Sequence, residues 1–315
     1  IWGAIYRELL KARSRGVEVK IIYDGLGSAL RAPLKDFKRL KRAGAQIKVF
    51  NRLLPLPVSR LNFRDHRKIA AIDGDAVFLG GVNIADEYAN LCSPHGYWKD
   101  GGGLFFGEIA CVYSDLFLTA FDGKKSDCPR TMRKITAKHS LLPVVDEPEQ
   151  RGSLCEDLLA SAIYSARRHV YIFTPYLCMG DKLCDAIAFA ARRGVDVKLI
   201  IPHIPDKKLT YQITLAYGAR LTDHGAEVYS YTPGFMHFKG VICDDGVLLG
   251  SYNFDFRSMR LNYECGVWCD DGVLADEAAR DFTDCLAVSE KLHAKRRNAA
   301  AKLLSRLLSL FAPLV

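Results

Sequence analysis

No apolar run in the sequence approaches the ~20 residues that a helix needs to cross a bilayer, and no charged-then-apolar leader opens it. The ten cysteines include no C-x-x-C pair, and Cys265 and Cys269 face no second pair of ligands at zinc spacing. That argues against a zinc site and against a disulfide framework. Cys111, Cys178 and Cys243 stand among apolar neighbours and read as reduced core residues of a cytosolic compartment. No cluster of carboxylates suited to Mg²⁺ or Ca²⁺ stands out, so the expectation is neither a metal nor another cofactor. An aromatic-and-basic series of the kind that stacks single-stranded nucleic acid is also missing.

What is present is the composition of a globular protein long enough for two domains: 315 residues, 49% hydrophobic and 25% charged. Lys and Arg exceed Asp and Glu by 44 to 36, a mild excess. It suits an anionic partner such as nucleic acid, an acidic membrane surface or a phosphorylated substrate, and equally a solvated basic surface. Residue 1 is Ile, inside what reads as the middle of a helix, so the chain is expected to be a fragment whose N-terminus lies upstream.

The chain repeats itself. Residues 9–24, LLKARSRGVEVKIIYD, match residues 187–202, IAFAARRGVDVKLIIP. Each reads as a helix ending in basic residues, a stop glycine (Gly16 or Gly194), then a β-branched strand. A second pair follows, FKRLKRAGAQIKVF at 37–50 and LAYGARLTDHGAEVY at 215–229, with Gly44 and Gly225 in the same role. Helices alternating with apolar strands predict an α/β fold, and two copies predict two domains related by a pseudo-twofold axis. The expected layout is a first domain over 1–125, a linker over 126–152 and a second domain over 153–290. The second copy opens with an extra helix near 156–168 and strand near 170–174 that the first copy lacks. Residues 291–315 alternate basic and apolar residues as a basic amphipathic helix, docked on the protein or lying on an anionic membrane.

Each copy carries one chemical motif. His66-Arg67-Lys68 is followed after four residues by Asp73, and His237-Phe238-Lys239 after four residues by Asp244. On a strand the His and Lys share a face. Gly80-Gly81-Val82-Asn83 and Gly250-Ser251-Tyr252-Asn253 come next, small residues that let backbone N–H groups near an oxyanion, with Asn as a further donor. Packing gives no reason to keep a His and a Lys on one strand face twice, and phosphodiester transfer does. One neutral imidazole attacks phosphorus and a second, protonated one supplies the leaving alcohol with a proton. Lys68, Lys239, Asn83 and Asn253, with Ser251 beside them, would hold the phosphate oxygens. Asp100 in the first half and Glu264 in the second are the candidates to orient the histidines. Asp73 and Asp244, although part of the motif, lie further along their strands and read as supports at the strand ends.

These residues resemble the phospholipase D superfamily, whose signature is a doubled H-x-K-x4-D, and more closely its bacterial cardiolipin synthases. The matching stretches are 61–88, 97–100, 174–183, 192–202 and 235–264. The resemblance implies two lobes, each a mixed sheet flanked by helices, with one active site at their interface. It implies the six motif residues as catalytic, with His66 the nucleophile and His237 the general acid. It further implies that two phosphatidylglycerol molecules give cardiolipin and glycerol, at a cell membrane with the active domains on the cytoplasmic side. Hydrophobic N-terminal segments usual in that family are not in this sequence. Hydrolysis by the same site, as a phospholipase D or a nuclease, is the alternative, nucleic acid being the less favoured substrate. A non-catalytic lipid-binding module would not need both His–Lys pairs.

Overall fold

The computed structural model describes residues 1–29, 31–51, 62–124 and 140–292. The first lobe opens with the expected alternation: helix Trp2–Ser14, strand Lys20–Asp24, helix Leu34–Arg42, strand Gln46–Phe50. The two strands pair in parallel, and Phe37 and Leu40 pack with Trp2, Tyr6 and Leu9 over them. Gly16, Gly44, Gly194 and Gly225 end their helices at φ +85°, +91°, +86° and +97°, a backbone region that costs glycine least.

Strands Ile69–Ile72, Ala76–Gly80 and Gly102–Phe106 follow as an antiparallel sheet backed by helix Glu108–Asp122. Val77, Leu79, Phe105, Ile109 and Tyr113 form its core, joined by Cys265 and Val267 from the second lobe. The Tyr113 hydroxyl donates to the Gly266 carbonyl, so a polar bond fastens the same contact.

The second lobe holds the larger sheet. Across it run Ser289–Lys291, Glu227–Tyr231, Asp196–Pro202, His169–Phe173, Gly240–Cys243, Gly246–Gly250 and Asn262–Cys269. His169–Phe173 is the joint: it pairs in parallel with Asp196–Pro202 and antiparallel with Gly240–Cys243. Its alternation splits the core. Val170 and Ile172 face the helices Leu154–Ser165, Asp181–Arg192 and Lys208–Thr222, while Phe173 faces Val273–Ala287 through Phe282. Helices on both faces of a mixed sheet make the chain an α/β protein, as expected. Among the described residues the first lobe has no counterpart of His169–Phe173, and its sheet comes as two pieces.

Two boundaries differ from expectation. Within the expected linker, Leu141–Asp146 is a strand that pairs along Asn262–Cys269. Pro143 makes this stretch read as a break, yet the strand has a single partner in the sheet, where a missing N–H is tolerated. The expected domain end at 290 falls inside strand Ser289–Lys291, which pairs with Glu227–Tyr231. Residues 293–315, most of the expected amphipathic helix, and linker residues 126–139 lie outside the described residues. No helix among the described residues is long and apolar enough to cross a membrane.

Candidate active site

Two short parallel strand pairs run between the lobes and set the site. Arg64–Asp65 lies beside Asn262–Tyr263, and the His66 N–H continues the ladder to the Tyr263 carbonyl at 3.0 Å. Gly234–Met236 lies beside Tyr97–Lys99, and the His237 N–H continues it to the Lys99 carbonyl at 2.7 Å. The next residue on each partner strand is a carboxylate. Glu264 therefore meets His66, and Asp100 meets His237.

The partners are thus exchanged between the halves: each histidine is oriented by the other lobe's carboxylate, whereas motif order alone suggests a partner in its own half. His66 Nδ1 lies 2.9 Å from both carboxylate oxygens of Glu264, and His237 Nδ1 lies 2.6 Å from Asp100 Oδ2. A carboxylate only accepts, so each Nδ1 carries a proton. Both carboxylates are buried, at 0% and 2% exposure of the side chain.

Glu264 is held from behind. Ser258 Oγ donates to Oε1 at 2.7 Å, Asn262 Nδ2 at 3.1 Å, and the Ser251 hydroxyl donates to Oε2. Burial works to raise the Glu264 pKa, but the neighbouring His66 and Lys68 and the Ser251 bond outweigh it and hold it below the usual value. Asp100 behaves alike: burial opposes ionisation, and Lys239 and His237 overcome it.

The H-x-K segments were expected on strands, but His66–Lys68 and His237–Lys239 fall in the three-residue stretches between Arg64–Asp65 and Ile69–Ile72 and between Gly234–Met236 and Gly240–Cys243, and each lysine still turns back to its histidine. Lys68 Nζ donates to the His66 carbonyl at 2.6 Å, and Lys239 Nζ to the His237 carbonyl at 2.5 Å. Lys239 Nζ also lies 2.6 and 2.9 Å from the two ring nitrogens of His237. Burial, then the charge of Lys239, pushes His237 down to about 3, so its imidazole is neutral at rest. Burial likewise lowers Lys68, and lowers Lys239 to about 7. Lys68 feels both Glu264 and Asp100, and Lys239 feels Lys68, which makes the two motifs one electrostatic site.

Glycine has a steric role here. A Cβ on Gly81 would stand 2.5 Å from Asp100 Oδ1 and 2.9 Å from Lys239 Cδ. The backbone N–H groups of Gly81 and Ser251 are not aimed at an oxyanion, contrary to expectation. They donate to the carbonyls of Gly101 and Cys265 at 3.1 and 2.9 Å, extending the hydrogen bonding one residue past strands Ala76–Gly80 and Gly246–Gly250.

The supporting residues divide. Ser251 is fully buried behind Glu264 and accepts from the Cys265 N–H at 3.0 Å, so it does not face a phosphate. Asn83 donates its amide to the Tyr88 hydroxyl at 2.6 Å. Asn253 is buried, and its Oδ1 has no hydrogen-bond partner among the described residues. The motif aspartates are not brought to the histidines. Asp73 and Asp244 sit in the turns after their strands, at φ +54° and +51°. His237 and Asp244 are seven positions apart along an extended chain, roughly 20 Å of reach. Asp244 accepts from the N–H groups of Arg167, Arg168 and His169 at 2.8, 2.9 and 3.0 Å, which ties helix Leu154–Ser165 to the central strand. Asp244→Ala is therefore expected to lower stability by about 1–2 kcal/mol with the site still assembled. An unchanged midpoint in denaturant would contradict that role.

Ser258, Asn262 and Tyr88 are site residues that motif reading missed. Ser258 and Tyr88 each lie five residues past the motif asparagine, so superposing the two repeats beyond Asn83 and Asn253 would have flagged the position.

The family model described as the cardiolipin synthase, PLD-like domain, matches residues 3–93 and 159–286. A cardiolipin synthase of Listeria welshimeri is 33% identical over 96% of this chain and 67% of its own length. The major cardiolipin synthase ClsA of Bacillus subtilis is 33% identical over 90% of this chain and 60% of its own length. Among solved structures, a phosphatidylserine synthase of Haemophilus influenzae shares the fold, with a TM-score of 0.68 at 17% identity over 98% of this chain and 83% of that one. The chain therefore belongs to the cardiolipin synthase, PLD-like domain family and is a phospholipid phosphatidyltransferase of the phospholipase D superfamily.

Proposed function

We propose that the protein transfers a phosphatidyl group between two molecules of phosphatidylglycerol, giving cardiolipin and glycerol, through a phosphohistidine on His66. The observation that carries this reading is the pair of histidines, each with Nδ1 tied to a buried carboxylate, which leaves Nε2 as the nitrogen available for transfer. His66 is the more accessible, with 26% of its side chain exposed against 7% for His237, which favours it as the nucleophile.

Charge explains how a neutral His237 becomes an acid. Two lysines face two carboxylates, so the empty site balances. A phosphodiester adds one negative charge and draws one proton onto His237. His66 Nε2 then attacks phosphorus, the bond to the glycerol oxygen breaks, and His237 gives that oxygen its proton. A hydroxyl of the second phosphatidylglycerol returns its proton to His237 as it attacks. The P–N bond breaks, and its electron pair goes back to His66. Lys68 and Lys239 stabilise the oxygens on phosphorus throughout. A phosphatidylglycerol substrate puts the reaction at an anionic membrane surface.

Incubation with phosphatidylglycerol vesicles without added metal, and with His237→Ala as control, tests this. Cardiolipin and glycerol from the wild type alone support it, whereas phosphatidic acid in their place makes the protein a hydrolase. A pH dependence follows as well. Lys239 binds phosphate in its charged form, which is present below about 7 and lost above it. KM for phosphatidylglycerol should therefore rise as pH increases through 7, and a KM flat from pH 6 to 9 would remove Lys239 from phosphate binding.

A further inference from the structure

The two halves differ at one matched position. Ser258 and Tyr88 occupy the same place after their asparagines, and their hydroxyls do different things. Ser258 Oγ accepts from the Asn253 N–H at 3.1 Å and donates to Glu264, so it acts from behind the carboxylate. Tyr88 is longer and reaches the reacting atom itself: its hydroxyl lies 3.4 Å from His237 Nε2. The ring is fixed edge-on to His237 at 4.9 Å between centroids and against Trp98 at 4.7 Å. Asn83 Nδ2 donates into the phenol oxygen, so the phenol's own proton rests against His237 Nε2 and is released to pair with a substrate hydroxyl once that nitrogen is protonated. Burial pushes the Tyr88 pKa well above its ordinary value, so that proton stays on the phenol.

Resting on the transfer reading above, we propose that Tyr88 selects alcohols that carry a hydroxyl on the carbon next to the reacting one. The reacting hydroxyl sits on His237 Nε2 and the neighbouring hydroxyl accepts from the Tyr88 phenol. Two polar atoms 3.4 Å apart suit two oxygens on adjacent carbons. Phosphatidylglycerol meets this demand twice. The central hydroxyl of its headgroup adjoins the oxygen that leaves in the first step and also adjoins the terminal hydroxyl that attacks in the second. The neighbouring hydroxyl changes no bonds. Water and simple alcohols lack it and leave the phenol unpaired, which a site built around a hydroxyl penalises.

The test uses phosphatidylglycerol vesicles with 1,2-propanediol, 1,3-propanediol or 1-propanol as competing acceptors. The readout is the ratio of each phosphatidyl-alcohol to phosphatidic acid. The wild type is expected to favour the 1,2-diol over both others roughly tenfold, the worth of one neutral hydrogen bond. Tyr88→Phe, which keeps the ring contacts, should bring the three ratios together. A wild type indifferent to diol spacing, or a preference that survives in Tyr88→Phe, overturns the proposal. Phosphatidyl-1,2-propanediol formed without any cardiolipin would uphold the role of Tyr88 and defeat the cardiolipin reading. Phosphatidic acid alone from every mixture would defeat both.

Discussion

His66→Ala and His237→Ala are each expected to lower transfer by at least ~10³-fold, because each removes a group that makes or breaks a bond. The two losses should differ in kind. Without His66 no bond to phosphorus forms, and lipid labelled in its phosphate leaves no label on the protein. Without His237 the nucleophile and its Glu264 partner remain, but the acid and base are gone. A slow first step with an activated leaving group then strands the phosphatidyl group on His66. Rapid quenching after incubation with a labelled aryl ester of phosphatidic acid reads this directly. Label on His66→Ala and none on His237→Ala would reverse the two roles. Near-normal turnover in either variant would end the two-histidine mechanism.

Glu264→Ala should come close to the histidine variants in activity and exceed them in cost to folding. Its carboxylate is fully buried and takes bonds from His66, Ser251, Ser258 and Asn262. Removal leaves those donors unpaired in the interior and Lys68 without its nearest opposing charge, a loss of about 3–5 kcal/mol. Activity should fall by ~10²-fold or more as His66 loses its tautomer and direction. The exchanged pairing adds a sharper signature. Glu264→Ala, a change in the second lobe, should behave as a loss of His66 and block labelling. Asp100→Ala, a change in the first lobe, should behave as a loss of His237 and let label accumulate. Denaturant unfolding together with the labelling assay checks both, and full labelling of folded Glu264→Ala would remove the carboxylate from its proposed role.

Local pattern made much of this readable in advance. Gly16, Gly44, Gly194 and Gly225 stop helices as their sequence positions imply, since φ is a property of the residue and its neighbours. Strand alternation predicted that Lys239 would lie beside His237, as it does, although both H-x-K stretches fall between strands rather than within one. Pairing over long distance was not readable. His66 and Glu264 are 198 residues apart, and His237 and Asp100 are 137 apart. They are joined by strands of two and three paired residues, too short to leave a periodic trace. Ser251 looked like a phosphate ligand because it stands in the small-residue Gly250-Ser251-Tyr252-Asn253 segment after the motif, but whether it faces substrate or carboxylate depends on how the two lobes close. Leu141–Asp146 was obscured by Pro143, whose cost depends on sheet position rather than on sequence.

The exchange of carboxylates also limits how a lipid can reach the histidines. A clamshell motion that parted the lobes would break both interlobe ladders and strip His66 and His237 of their partners in one movement. Closure is thus a condition of the chemistry, and any opening that admits a lipid must be reversed before either histidine can act.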